Sequence, residues 1–78
     1  MTEQPEHGYL ARQLGEALTK VREAAGKSQR GQADELGIAH NTLRELEQGL
    51  ANPTLARIET IAAAMGLRIK LVVTRARR

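Results

Sequence analysis

The run Ser28-Gln29-Arg30-Gly31-Gln32-Ala33-Asp34-Glu35-Leu36-Gly37-Ile38-Ala39-His40-Asn41-Thr42-Leu43-Arg44-Glu45-Leu46-Glu47-Gln48-Gly49 constrains the fold more than any other part of this chain. Ser28 is a good N-cap for a helix that runs through Leu36. Gly37 supplies a turn, and Ile38 points back toward the core. A further helix starts near His40, buries Leu43 and Leu46, and stops at Gly49. Two short helices joined by a glycine-bearing turn form a helix-turn-helix, a device that delivers its second helix to the major groove of DNA. That helix carries His40, Asn41, Thr42 and Arg44 in its first turns, all side chains able to read base edges.

The flanks supply the rest of a small helical core. Residues 1–8 are polar, contain Pro5 and Gly8, and read as a flexible N-terminal arm. From Tyr9 the apolar positions Leu10, Leu14, Leu18, Val21 and Ala25 are spaced by four and three, one face of a helix that Gly26 ends. After Gly49, Asn52-Pro53-Thr54 forms a loop in which Thr54 caps a fourth helix. Leu55, Ile58, Ile61, Ala62 and Met65 give that helix its apolar stripe, and Gly66 ends it. Residues 9–66 thus make one helix-turn-helix domain.

The period then changes. Leu67, Ile69, Leu71 and Val73 alternate with Arg68, Lys70, Val72 and Thr74, which predicts a strand over 67–74. Nothing else in the chain reads as a strand, and a lone strand leaves a row of unpaired N–H and C=O groups. The simplest partner is a second copy, with Leu67, Ile69, Leu71 and Val73 at the dimer interface. The competing reading, a longer fourth helix or a trailing coil, runs against Gly66 and the alternation. The expected fold is therefore mainly α: a compact bundle of four to five helices containing a helix-turn-helix, plus one C-terminal β-strand pairing across a dimer.

Composition narrows the function classes. The chain has 78 residues, enough for one domain. It lacks Cys, which removes disulfides, thiolate zinc sites and a Cys nucleophile. Tyr9 is the only aromatic, so base stacking on an aromatic platform is disfavoured. Residues 1–56 hold six Lys/Arg and eight Asp/Glu, whereas residues 57–78 hold six basic residues against Glu59 alone. Such a basic end suits phosphate, and 75–78 (Arg75, Arg77, Arg78) is either a DNA-contacting or a merely solvated tail. Ser28 is the only Ser and has no activating pattern, so the chain reads as a non-enzyme with no cofactor. His7 and His40 lie on different elements, so no metal site is expected. No apolar run approaches the roughly 20 residues of a membrane span, and the acidic, polar N-terminus lacks a signal-peptide core. A cytoplasmic, nucleoid-associated protein is expected.

Arg22, Gly26, Ser28-Gln29, Ala33, Leu36-Gly37-Ile38, Thr42, Leu46-Glu47, Gly49, Asn52-Pro53-Thr54-Leu55 and Ala64-Met65-Gly66 together resemble the helix-turn-helix domain of the Xre family, which includes the lambdoid phage repressors and Cro. The likeness spans residues 10–66. The ending Gly66-Leu67-Arg68-Ile69-Lys70-Leu71-Val72-Val73 resembles the C-terminal dimer strand of HipB-like antitoxins. The resemblance implies that the third helix is the recognition helix. It places Gln29 at a phosphate and base-edge contact, puts His40, Asn41, Arg44 and Glu45 where bases are read, and adds Asn52 to the DNA-binding set. It also implies an ion pair between Arg22 and Glu47 that orients the recognition helix.

The chain departs from that family at four places. Lys27 and Gln32 stand where apolar residues are usual, so the second helix either packs more loosely or satisfies Gln32 by a hydrogen bond. Ala39 replaces the usual Ser/Thr cap, a loss of roughly 1 kcal/mol unless Asn41 or His40 compensates. Glu45 stands where a basic or amide residue is common; it either accepts from cytosine N4 or pairs with Arg44 or another cation. His40 is a base or phosphate contact or a solvent-exposed helix start. Asn41 matches adenine N6/N7, and Arg44 matches guanine O6/N7 or a phosphate. The whole predicts a homodimeric repressor of a palindromic operator on double-stranded DNA. The alternative is a HipB- or HigA-like antitoxin that binds a toxin protein and autoregulates its operon.

Overall fold

The computed structural model describes residues 8–76. Residues 1–7 of the expected arm, including His7, lie outside the described residues, as do Arg77 and Arg78. Among the described residues there are four helices: α1 (Tyr9–Ala24), α2 (Gln29–Leu36), α3 (His40–Glu47) and α4 (Leu55–Ala64).

Local chemistry sets the helix ends. Ser28 adopts an extended backbone, and its hydroxyl oxygen accepts from the Gly31 N–H at 3.0 Å. Thr54 does the same for Arg57 at 3.1 Å. Each satisfies one otherwise unpaired N–H, worth about 1 kcal/mol. Ala39 starts α3 with the same extended backbone but offers no side-chain cap. Between the two helices of the motif, Gly37 takes φ +71, a left-handed conformation that costs glycine little. The Gly37 N–H then donates to Asp34 at 3.2 Å and the Ile38 N–H to Ala33 at 3.0 Å. These bonds close the end of α2 and turn Ile38 onto the core.

The core is Leu18, Ala33, Leu43, Leu46 and Ile61, with Leu14, Leu36, Ile38, Ala51, Met65 and Leu67 packed around it. Helix α3 lies at its centre, against both α1 and α2. It meets α1 at Gly15, where an added Cβ would overlap the carbonyl oxygens of Leu46 and Glu47. The two backbones therefore touch. Gln32, expected as a point of loose packing, is buried, and no buried side-chain nitrogen or oxygen among the described residues lacks a hydrogen-bond partner. Lys27 stays exposed and pairs with Glu35 at 2.6 Å.

Burial corrects two of the apolar stripes. Leu10 is 59 % exposed and Leu55 is 65 % exposed, and Ala25 is also exposed. The reason is where α1 presses. It docks on α3 through Gly15, so the outer part of its apolar stripe faces an open groove of about 860 Å³ instead of the core. Leu10, Leu14, Val21, Leu55 and Ile58 line that groove together with residues 67–71.

The expected strand is not formed within the single chain. Among the described residues, 65–76 contain no helix or strand. Leu67 packs on the core, but exposure then climbs from 41 % at Ile69 to 93 % at Val73 instead of alternating. A β-ladder needs a hydrogen-bonding neighbour, and one chain with one such segment supplies none.

Candidate nucleic-acid interface

The helical period of α3 divides it into two faces. Leu43, Leu46 and Glu47 are buried. Asn41, Arg44, Glu45 and Gln48 are exposed and follow one another at steps of three, one and three, so they form one outward stripe. His40 and Thr42 are half-buried at its flank. Among the described residues, none of the side chains of Asn41, Arg44, Glu45 and Gln48 makes a hydrogen bond or ion pair. The face therefore presents amide, guanidinium and carboxylate groups with their full bonding capacity. Gln48 is the member that sequence reading missed. Its signal was its place seven residues after Asn41 and four after Arg44.

Behind this face, three elements converge on one carboxylate. Arg22, in the last turn of α1, donates from Nε to Glu47 Oε2 at 2.7 Å and from Nη2 to Oε1 at 3.2 Å. Gln29, the first residue of α2, donates from Nε2 to Oε1 at 2.9 Å. Arg22 Nη1 also donates to the Lys27 carbonyl in the α1–α2 turn at 2.8 Å. The Arg22 and Glu47 side chains are only 11 % and 4 % exposed. A forked guanidinium–carboxylate contact of this kind fixes orientation as well as distance. The guanidinium also places a positive charge at the C-terminal end of α3, where the helix dipole favours one.

The titration of Glu47 follows from these contacts. Burial works to raise its carboxyl, but the hydrogen bonds from Arg22 and Gln29 and the Arg22 charge outweigh it, so the net shift is downward. Arg22 is raised, chiefly by its hydrogen bond to Glu47. Both remain charged at neutral pH.

Of the residues singled out in the sequence, His40, Asn41, Thr42, Arg44 and Glu45 share α3. Gln29 sits at the start of α2, but its amide is engaged by Glu47 rather than presented to solvent. Asn52 is exposed in the loop between α3 and α4, where it borders the apolar groove. Arg22 and Glu47 face each other. Leu67, Ile69, Leu71 and Val73 lie in the segment that has no ladder. Among the described residues no group of three His, Asp or Glu side chains is placed to hold a metal, and no helix is long and apolar enough to cross a membrane.

A family model described as a helix-turn-helix domain matches residues 13–72. The matched stretch takes in most of α1, all of α2, α3 and α4, and most of the segment that follows. No curated protein matches the chain.

Proposed function

This chain belongs to the helix-turn-helix domain family, a DNA-binding class, and from that premise we infer that it is a sequence-specific transcriptional repressor of the Xre type. The observation that carries the reading is the outward stripe of α3, whose side chains are uncommitted while the helix itself is locked from behind. Phosphate contacts position such a protein, and base-edge contacts specify its site. His40, Asn41, Thr42, Arg44 and Glu45 supply the base edge contacts. Gln29 and Asn52 are further candidate contacts to the DNA, Gln29 only once its bond to Glu47 is exchanged.

The repressor acts as a homodimer. Ile69, Leu71, Val72 and Val73 are exposed apolar residues on a segment without a ladder, which supports antiparallel pairing of two 67–74 segments. Two recognition helices related by a two-fold axis would enter successive major grooves about 34 Å apart, so the operator is an approximate palindrome. The same exposed segment and the open groove beside it support a second reading, an antitoxin that holds a toxin protein there and represses their shared operon.

The test is fluorescence anisotropy of the purified protein against duplex DNA from immediately upstream of its own gene, with a scrambled duplex as control, over a salt series. Preference for the native duplex that persists as salt rises supports base readout and autoregulation. Equal binding that collapses steeply with salt shows phosphate attraction alone and removes specific repression at that site.

A further inference from the structure

Resting on the DNA-reading assignment, we propose that Glu45 is a specificity residue whose carboxylate accepts the N4 amino group of a cytosine, one step from a guanine taken by Arg44. The starting observation is an anomaly. A surface built for a polyanion carries a carboxylate in the middle of its outward stripe, between Asn41 and Gln48 and beside Arg44. That carboxylate is exposed and has no ion-pair partner among the described residues, so it is not there to balance a neighbouring cation. Left against a phosphate it repels. Left in the groove without a donor it is desolvated for nothing.

The major groove offers such a group few donors. Guanine presents N7 and O6 and thymine presents O4, all acceptors that repel a carboxylate. Adenine has an N6 amino group, but its N7 acceptor sits beside it and suits an amide better. Cytosine presents its N4 amino group with no acceptor on the same edge. An acceptor-only side chain therefore discriminates for cytosine, and Arg44, a donor-only side chain next to it, discriminates for guanine. The opposite charges at consecutive positions match the opposite polarity of the two edges of a G·C pair. Asn41 and Gln48 bound the footprint. Seven residues at about 1.5 Å each span about 10 Å, or roughly three base-pair steps. Each half-site is then a G·C-containing core of about four base pairs, with adenines available to the two amides. The charge on Glu45 also penalises seating on unmatched DNA, so it adds contrast as well as a contact.

The test is selection of duplexes from a library with a randomised central region, using the full chain and its Glu45→Gln variant, with sequencing of the bound fraction. Melting of both proteins is measured alongside, and is unchanged because Glu45 has no side-chain partner to lose. The expected result is a motif containing guanine and cytosine for the native protein. In the variant, preference for cytosine falls about tenfold or more at one position per half-site while the other positions keep theirs. Weak-sequence binding rises in the variant. An identical motif in both proteins overturns the proposal, and so does an adenine at the position that answers to the substitution. Binding without enrichment of any motif by the native protein overturns the DNA-reading assignment itself, and is distinct from either result.

Discussion

Removing Arg22 tests the most consequential contact in the molecule. In Arg22→Ala, Glu47 loses two charge-assisted hydrogen bonds and keeps the one from Gln29. Its side chain is 4 % exposed, so the carboxylate loses them in a site largely shielded from water. Stranding one partner of a buried pair costs about 3–5 kcal/mol. The carboxyl has one escape, which is to take a proton. From an unperturbed pKa near 4.3 that costs about 3.7 kcal/mol at pH 7, at about 1.36 kcal/mol per unit. The lost bond to the Lys27 carbonyl adds about 1 kcal/mol. A loss of about 5 kcal/mol is expected. A 78-residue domain has only about 4–12 kcal/mol to lose, so the variant is marginal or unfolded. The pH dependence carries a sign. The Glu47 pKa is lowered in the folded protein, so its contribution is present above the unfolded value and is lost as pH falls through the folded one. Without Arg22, burial dominates and lifts the folded pKa above the unfolded one. The penalty in the variant then shrinks as pH falls from 7 toward 5, a window in which the native protein keeps its full contribution from Glu47. Urea melts followed by circular dichroism at pH 7 and pH 5 measure both effects, and Glu47→Gln in the Arg22→Ala background should recover part of the loss. A variant within about 1 kcal/mol of the native protein at pH 7, or a double variant no more stable than the single one, refutes the reasoning.

Gly15→Ala replaces a poor helix former with the best one, a gain of about 1 kcal/mol in isolation. The new Cβ overlaps the Leu46 and Glu47 carbonyls, so denaturant melts should still show a net loss of about 1–3 kcal/mol. Ala39→Ser restores a hydroxyl where the backbone already has φ −67 and ψ 147. It should add about 1 kcal/mol, read as a rise of about 4–8 °C in Tm. Leu71→Pro removes a ladder donor from the proposed dimer strand without touching the core. Sedimentation should then show monomers with weakened DNA binding, and a full dimer would sink the strand reading.

The helix boundaries were legible in the sequence because their causes are local. A hydroxyl at Ser28 or Thr54, or a glycine at position 37, acts on N–H and C=O groups within four residues. Burial was less legible, because it depends on which neighbour a face meets. Leu10 and Leu55 follow the apolar period correctly, yet they flank a groove because α1 approaches α3 at Gly15. Nothing in the spacing of Gly15 announced that contact, since a glycine inside a helix reads only as a weak helix former. Gln29 illustrates the converse. Its position at the start of α2 suggested an outward donor, but Glu47 lies within reach of the same amide and engages it. The period of two in 67–74 is plain in the residues, while the ladder it asks for depends on a neighbour that one chain does not contain.

The division of α3 into a locked face and a free one has a consequence for how such a protein changes over time. Leu43, Leu46 and Glu47 carry the helix's share of the core and the carboxylate hub. Asn41, Arg44, Glu45 and Gln48 carry none of it. If that face reads DNA as proposed, substitutions on the second set alter what is recognised at almost no thermodynamic penalty, so recognition drifts while foldability is retained. A library diversified at those four positions would remain folded in most of its members, and the same scaffold would yield readers for many different target sequences.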